Sequence, residues 1–343
     1  MENIEEIKTR RIEGYLDLDS YFIRRIGRPP EDEEDLFANG LIDVENSGRS
    51  DKFWILDEQG NRIALFKEPI NPQGDELYAE LISEEVSKIL GIPTAHYDLA
   101  IFNGRKGVIS YNFVGEYDSY ESGFDIIMDF YEKRLEEDGQ LSELYGIDNK
   151  KDTIDDVSSK LNNLEDVWCI LEERYKDHPY KQLIVSKIVN GLVDKLIFDI
   201  LMVNVDDHCD NWGELDMLSE GKNLAPQFDN SRIINLHNNI LTERFVSKDT
   251  IEDKELTFTV DNNGIKKPLE VLSHFLKISS SEYTDLVREK VVTLQEHIYE
   301  IPLIIEKRTN HPMPNYLTRY FTTTMQEHLN KVSEIVDGKK NNK

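Results

Sequence analysis

Between Lys52 and Lys67 the apolar residues fall into two short runs, Phe53-Trp54-Ile55-Leu56 and Ile63-Ala64-Leu65-Phe66, separated by Asp57-Glu58-Gln59-Gly60-Asn61. Short apolar runs joined through a Gly-Asn turn predict a β-hairpin. From Leu77 the period changes. Apolar residues at 77, 81, 82, 86, 89 and 90 predict one face of a helix, with Asp75 as candidate N-cap and Gly91 with Pro93 as the stop. Two more strands are expected over Ala95–Phe102 and Gly107–Val114, on either side of Asn103-Gly104. Beyond Gly115 helical periodicity takes over. Helices are predicted over Phe124–Glu137, Asp152–Tyr175, Tyr180–Met202, Pro268–Leu276, Ser281–Tyr299 and Pro314–Val336, with surface loops over 137–152 and 240–256. The helix over Tyr180–Met202 carries a stripe from Leu183 through Ile188, Leu192, Leu196, Ile197 and Ile200 to Leu201, wide enough to be buried on most sides.

This order of elements predicts an α+β fold in two lobes. The smaller is an antiparallel sheet with one main helix, over residues 47–118, and the larger is mostly helical, over 119–337, with the boundary near 115–122. Residues 1–46 are expected to be an N-terminal extension that joins the small lobe in part. Within them Glu-Asp-Glu-Glu-Asp at 31–35, after Pro29-Pro30, reads as solvated, and the ordered fold is expected to start nearby.

Charge narrows the function. The formal net charge is −27, from 40 Lys and Arg against 67 Asp and Glu, which repels phosphate backbones and anionic membrane surfaces. Neither nucleic acid nor membrane is therefore an expected direct partner. The two cysteines, Cys169 and Cys209, lie 40 positions apart with no CxxC or Cys/His zinc spacing. The first residues are acidic and no apolar run is long enough to span a bilayer, so a cytoplasmic protein is expected.

The long apolar helix runs straight into Asn204-Val205-Asp206-Asp207-His208-Cys209-Asp210-Asn211-Trp212. Carboxylates at the end of a buried helix need a positive partner. Mg²⁺ suits such a set, taking one or two carboxylates, an amide oxygen, water and phosphate. Asp206 and Asn211 match a kinase catalytic loop, in which an Asp orients the attacking hydroxyl and an Asn five positions on holds the metal. The spacing alone is weak, since Asp98 to Asn103 and Asp199 to Asn204 share it. Its context is stronger. Trp212-Gly213-Glu214-Leu215 resumes as a strand, Gly221 turns the chain, and Ala225-Pro226-Gln227-Phe228 returns it to Asp229, 23 residues after Asp206. Asp229 would supply a second metal carboxylate. Lys67 ends the second strand of the hairpin in Ala64-Leu65-Phe66-Lys67, where a kinase places its phosphate-binding lysine. A carboxylate should hold it. Glu80 is the first choice, with Glu76 and Glu84 on the same helix face.

These residues resemble the HipA-like serine/threonine kinases, in particular their short, CtkA-type members, over about Ser47 to Asn235. Ser47-Gly48-Arg49-Ser50-Asp51-Lys52 resembles the family's phosphate-binding loop, and Lys67 its nucleotide lysine. Glu80 with Gly91-Ile92-Pro93-Thr94-Ala95 is similar to its helix and exit. Asn204-x-Asp206-x-His208-x-x-Asn211 with Ala225-Pro226-x-Phe228-Asp229-Asn230 is the most specific piece. The resemblance implies ATP with Mg²⁺ and transfer of the γ-phosphate to a Ser or Thr hydroxyl of a protein. In it Asp206 is catalytic base, Asn211 and Asp229 are metal ligands in the segments 204–212 and 225–231, and Lys67 meets the α- and β-phosphates. Gly48, Ser50 and Lys52 would cradle phosphate. Tyr111 and Phe113 fall where the family's hinge meets adenine through backbone groups. Ser47 or Ser50 becomes a candidate for autophosphorylation, and an antitoxin-like protein partner is implied for toxin members. Asp207 departs from the pattern, standing where the family often has Arg or Gly, and the phosphate loop holds one glycine.

Against these stand plainer readings. Asx residues also cap turns, and a strand-end lysine is commonly solvated. His208 joins Asp206 and Asn211 as a candidate of the catalytic loop, read as a hydrogen-bonding brace rather than a proton carrier, and Cys209 reads as inert. Rival functions are a lipid or small-molecule kinase, a nucleotide-binding pseudokinase, and a hydrolase with Asp206, Asp207, His208 and Asp229 around a metal.

Overall fold

The computed structural model describes residues 7, 9–19, 21–26, 42–43, 52–69, 75–137, 153–236 and 251–338. The expected hairpin is present as β5 (Lys52–Leu56) and β6 (Arg62–Lys67), and the two following strands as β7 (Tyr97–Phe102) and β8 (Arg105–Tyr111). They do not form the sheet alone. β1 (Arg11–Ile12), β2 (Tyr15–Asp17), β3 (Phe22–Ile26) and β4 (Ile42–Asp43) extend it to eight strands in the order β1-β2-β7-β8-β6-β5-β3-β4. The ordered fold thus begins well before residue 31, contrary to the sequence-based expectation. Short strands of two to five residues carry little periodicity, and only pairing to longer neighbours makes them strands. Most ladders are antiparallel, while β2–β7 and β3–β4 run parallel.

Period-2 alternation sorts the sheet's two faces. Phe53, Ile55, Ala64 and Phe66 pack with Leu16, Phe102 and Ile109 on one face. Lys67, next after Phe66, therefore emerges on the other, opposite Val108, where the small lobe's helix α1 (Glu76–Ile89) lies. Gly91, at φ +69, stops this helix as expected. Asp75 makes no side-chain cap and instead accepts a hydrogen bond from Tyr316 at 2.7 Å. Twelve of the fourteen residues of α1 are buried, including Glu76, Glu80, Glu84 and Glu85.

The chain leaves the large sheet at Tyr111 and enters a second one of three strands, β9 (Ser119–Ser122), β10 (Gly213–Met217) and β11 (Gly221–Leu224), in the order β11-β10-β9. The helical body follows: α2 (Gly123–Glu137), α3 (Ile154–Leu161), α4 (Leu164–Arg174), α5 (Lys181–Met202), α6 (Pro268–Ile278), α7 (Ser281–His297), α8 (Ile301–Thr309) and α9 (Asn315–Gly338). α5 is its axis, with Leu192, Leu196, Ile197, Ile200 and Leu201 buried, each worth about 1.5–3 kcal/mol of apolar transfer. Leu183, in its first turn, is exposed. The helix expected over Asp152–Tyr175 is two. It breaks at Asn162-Asn163, where Asn163 caps α4 by accepting from the Asp166 backbone N–H and Asn162 turns its side chain into the core. No helix among the described residues is long and apolar enough to cross a membrane.

Candidate active site

The loop after α5 starts under strain. Val203 caps the helix at φ +50, a left-handed conformation costly for a β-branched residue, and is held there by its backbone N–H on the Asp199 carbonyl. Asn204 then ties three segments together. Its backbone N–H also reaches the Asp199 carbonyl, and its amide nitrogen donates to Asp199 Oδ1 at 3.0 Å and to Asn230 Oδ1 at 3.1 Å. Asn230 in turn donates its backbone N–H to Glu80 Oε2 at 2.9 Å. A single buried network therefore joins the loop at 204–212, the segment at 225–231 and helix α1.

Asp206 is braced from below. Asn211 Nδ2 donates to its carbonyl at 2.5 Å, as does the His208 backbone N–H at 3.0 Å. Its carboxylate faces the cleft and meets Arg232 Nε at 3.1 Å. Burial raises the Asp206 pKa, with Arg232 and His208 opposing and Asp229 adding to the rise, so the two aspartates feel each other across the cleft. The backbone of His208 braces the loop; its ring sits 3.3 Å from Asp210 and is half exposed. Cys209 is buried and its thiol is pushed up to about 12 by burial, which leaves it unreactive.

Asp229 sits at φ +54, with its backbone N–H on the hydroxyl of the buried Tyr97 at 3.0 Å. The preceding residues are stitched to the exit of α1: Gln227 N–H to the Pro93 carbonyl at 2.9 Å, and Ala95 N–H to the Gln227 carbonyl at 2.8 Å. The Asp229 carboxylate is bonded to Lys67 and lies 3.8 Å from Lys52. Lys52 and Lys67 are direct partners across β5–β6, and two like charges so placed need an anion between them. Lys67 also lies 3.6 Å from Glu80 and 3.4 Å from the Ser231 hydroxyl. Burial pushes Asp229 upward, but the two lysines hold its carboxylate well below the ordinary range. Glu80, itself buried and sharing Lys67 with Asp229, is raised to about 7, chiefly by burial.

Of the three glutamates that could hold Lys67, Glu80 lies within ion-pair distance, and Glu76 adds a weaker electrostatic pull. Glu84 is engaged by His96 at 2.6 Å, Lys88 at 2.7 Å and Arg308 at 2.6 Å. Tyr111 is buried, with its ring stacked on His96, and leaves only backbone groups at the end of β8. Phe113 packs with Tyr120 and Phe228 at the junction of the two sheets, ring centroids 5.9 and 5.5 Å away. Ser47, Gly48 and Ser50 lie outside the described residues.

No protein-family model matches the chain, and no curated protein matches it by sequence. Solved structures do match in shape. The Helicobacter pylori proinflammatory kinase CtkA superposes with a TM-score of 0.62 over 94% of this chain and 96% of its own, at 17% identity. The chain has the CtkA fold. A second match is Shewanella oneidensis HipA, solved with HipB and operator DNA, with a TM-score of 0.45, 15% identity, and coverage of 93% of this chain and 75% of that one. The likeness to CtkA establishes a bilobal, protein-kinase-like α+β architecture: a sheet with one main helix above a larger helical body.

Within this CtkA-type frame the geometry shows residues that pattern reading passes over. Asp207 turns away from the cleft to a buried ion pair with Lys195, 2.9 Å apart. Asp199 lies beside it, and burial, followed by the Asp207 charge, pushes its pKa well above the ordinary carboxylate range. This removes Asp207 from the donor set that a metallohydrolase would use. The signal was legible as Lys195 and Asp199, four positions apart in an otherwise apolar helix. Asn162 had no such signal. Its amide donates to the Asp207 carbonyl at 2.9 Å and accepts from Trp212 Nε1 at 2.9 Å, which clamps both ends of the loop. At Gly123 a Cβ would come within 2.4 Å of the Trp212 ring, so this glycine allows α2 to approach the loop. A cavity of about 460 Å³ elsewhere, lined by Lys133, Arg174, Tyr175, His178 and Lys222, has its main cations already paired, Arg174 with Glu121 and Lys222 with Glu214.

Proposed function

We propose that this protein is an ATP- and Mg²⁺-dependent serine/threonine protein kinase. The observation that carries the reading is the convergence of Lys67 on both Glu80 and Asp229, across from Asp206, which is braced by Asn211. Lys67, with Lys52 beside it, supplies positive charge for the α- and β-phosphates of ATP. Asp206 accepts the proton of the acceptor hydroxyl as its oxygen attacks the γ-phosphorus; the bond from that phosphorus to the bridging oxygen breaks, and ADP leaves with the electron pair.

The donor set suits Mg²⁺. Asp229 offers an ionised carboxylate, and Asn211, whose amide nitrogen is engaged with the Asp206 carbonyl, has its amide oxygen left as a hard donor. Among the described residues no group of three His, Cys, Asp or Glu side chains is spaced to hold a metal alone, and a phosphate-bridged ion does not require one. When bound, Mg²⁺ neutralises charge on the phosphate oxygens. The net charge of −27 favours a protein acceptor over nucleic acid and a cytoplasmic setting away from anionic membrane surfaces. The sequence resemblance to toxin kinases makes an antitoxin-like protein a further partner to test.

The test is incubation of the full chain with γ-labelled ATP and Mg²⁺, alone and with a cell extract. Label is expected on serine or threonine, on the chain itself or on an acceptor, and Asp206→Asn should lower transfer about 10²- to 10⁴-fold, the range for a positioned base. Label on lipid or a small metabolite would reassign the acceptor. Nucleotide binding with no transfer to any acceptor would make the protein a pseudokinase.

A further inference from the structure

Arg232 has no place in the sequence reading, and among the described residues it is the arginine or lysine within ion-pair distance of the proposed base. It lies three residues beyond Asp229, and its Nε sits 3.1 Å from Asp206 Oδ2, both side chains about one-third exposed at the mouth of the cleft (35% each). Asp207, the neighbour of the base, is turned inward to Lys195 and brings no cation to this side. Lys52 and Lys67 are gathered on Asp229 and Glu80, at the other side of the cleft.

We propose that Arg232 is a catalytic residue that grips the oxygens of the phosphoryl group while it is in transit from ATP to the acceptor. The inference rests on the kinase reading above. A guanidinium presents five donors in one plane, and the ion pair with Asp206 lies at its Nε end, so both terminal nitrogens stand ready for a bidentate contact with phosphoryl oxygens. The phosphoryl group passes between the base and the nucleotide, and charge spreads over its three equatorial oxygens. Arg232 stands on the base's side of that path and Lys67 on the nucleotide's. The two cations thus bracket the transferring group. In the step, the acceptor oxygen bonds to the γ-phosphorus, its proton goes to the Asp206 carboxylate, the bridging P–O bond breaks towards ADP, and Arg232 keeps all its protons. One residue also couples the base to the metal segment, because Arg232 and Asp229 share the stretch Asp229-Asn230-Ser231-Arg232 that Glu80 anchors through the Asn230 backbone.

The test compares the full chain with Arg232→Ala and Arg232→Lys. Two quantities are read: label transfer from ATP, and calorimetric affinity for MgADP with and without aluminium fluoride, a mimic of the phosphoryl group in transit. Removing an arginine that contacts the transition state should lower kcat about 10²- to 10³-fold, somewhat below the full range for arginine fingers, with MgADP affinity within about twofold of wild type. The tightening that aluminium fluoride gives the wild type should disappear in Arg232→Ala, free guanidine should restore part of its rate, and Arg232→Lys should restore little. Wild-type kcat in Arg232→Ala overturns the proposal. So does a faster rate, which would make Arg232 a plug on the base, or an equal loss in MgADP affinity and kcat, which would make it a ground-state contact. Failure of the kinase reading looks different: the wild type itself would transfer no label and bind MgADP no more tightly with aluminium fluoride.

Discussion

Lys195 and Asp207 form an ion pair 2.9 Å long with 1% and 0% of their side chains exposed, directly beneath the proposed base. Breaking such a pair from one side leaves a bare charge in the core. Lys195→Met should therefore destabilise the protein by about 3–5 kcal/mol, read as a lower urea midpoint. Asp199→Asn tests the protonation state next to it. An amide can both donate to Asp207 and accept from Asn204, so a cost under about 1 kcal/mol is expected if Asp199 is a neutral acid. A loss as large as that of Lys195→Met would show instead that Asp199 carries charge.

Asn162 is the clamp on the loop, and its loss should affect both stability and rate. Asn162→Ala leaves the buried Trp212 N–H and the Asp207 carbonyl without their partner, at a cost of about 1–3 kcal/mol in chemical unfolding. A loop displaced by a fraction of an ångström should also lower phosphate transfer, by about 10²-fold if the base shifts by 1 Å. Unchanged kinetics in a destabilised variant would reduce Asn162 to a purely structural role.

Lys67 and Glu80 should separate in kinetics. Lys67→Met removes the cation expected to touch phosphate and should lower kcat/KM for ATP about 10²- to 10³-fold. Glu80→Gln keeps an acceptor for the Asn230 backbone N–H but no longer orients Lys67, so KM for ATP should rise more than kcat falls. The reverse split would mean that Glu80 acts on the transition state.

Glu84 predicts an acid limit to stability. Burial alone would raise its pKa, but the hydrogen bond from His96 and the charges of Arg308, His96 and Lys88 bring it down to about 2, from an ordinary 4.5. A carboxylate with a depressed folded-state pKa stabilises the fold above pH 4.5 and loses that contribution as pH falls towards 2. The gap between 4.5 and 2 corresponds to about 3 kcal/mol. Unfolding free energy measured by urea from pH 6 to pH 2.5 should fall with this contribution, and Glu84→Gln should be less stable at pH 6 with a flatter profile. Parallel profiles for the two proteins would remove Glu84 as the source.

The parts legible in the sequence are those set by neighbours along the chain. Periodicity determined the hairpin ending in Lys67, the helix that Gly91 stops and the long apolar helix leading to Asn204, because side-chain period and turn chemistry act over a few residues. The spacing of Asp206, Asn211 and Asp229 pointed to one site for the same reason: a short hairpin must bring its two ends together. What tertiary structure alone decided is which charged groups face which. Glu76, Glu80 and Glu84 share one helix, and only the packing of α8 behind it gives Glu84 to Arg308 and leaves Glu80 for Lys67. Asp206 and Asp207 are adjacent, yet one faces the cleft and the other Lys195, because a buried cation on α5 claims the second. The recruitment of β1, β2, β3 and β4 into the sheet, the break at Asn162 and the placement of Arg232 on Asp206 likewise depend on contacts between segments far apart in the chain. Local pattern carries no information about them, since desolvation and Coulomb terms are fixed only when those segments meet.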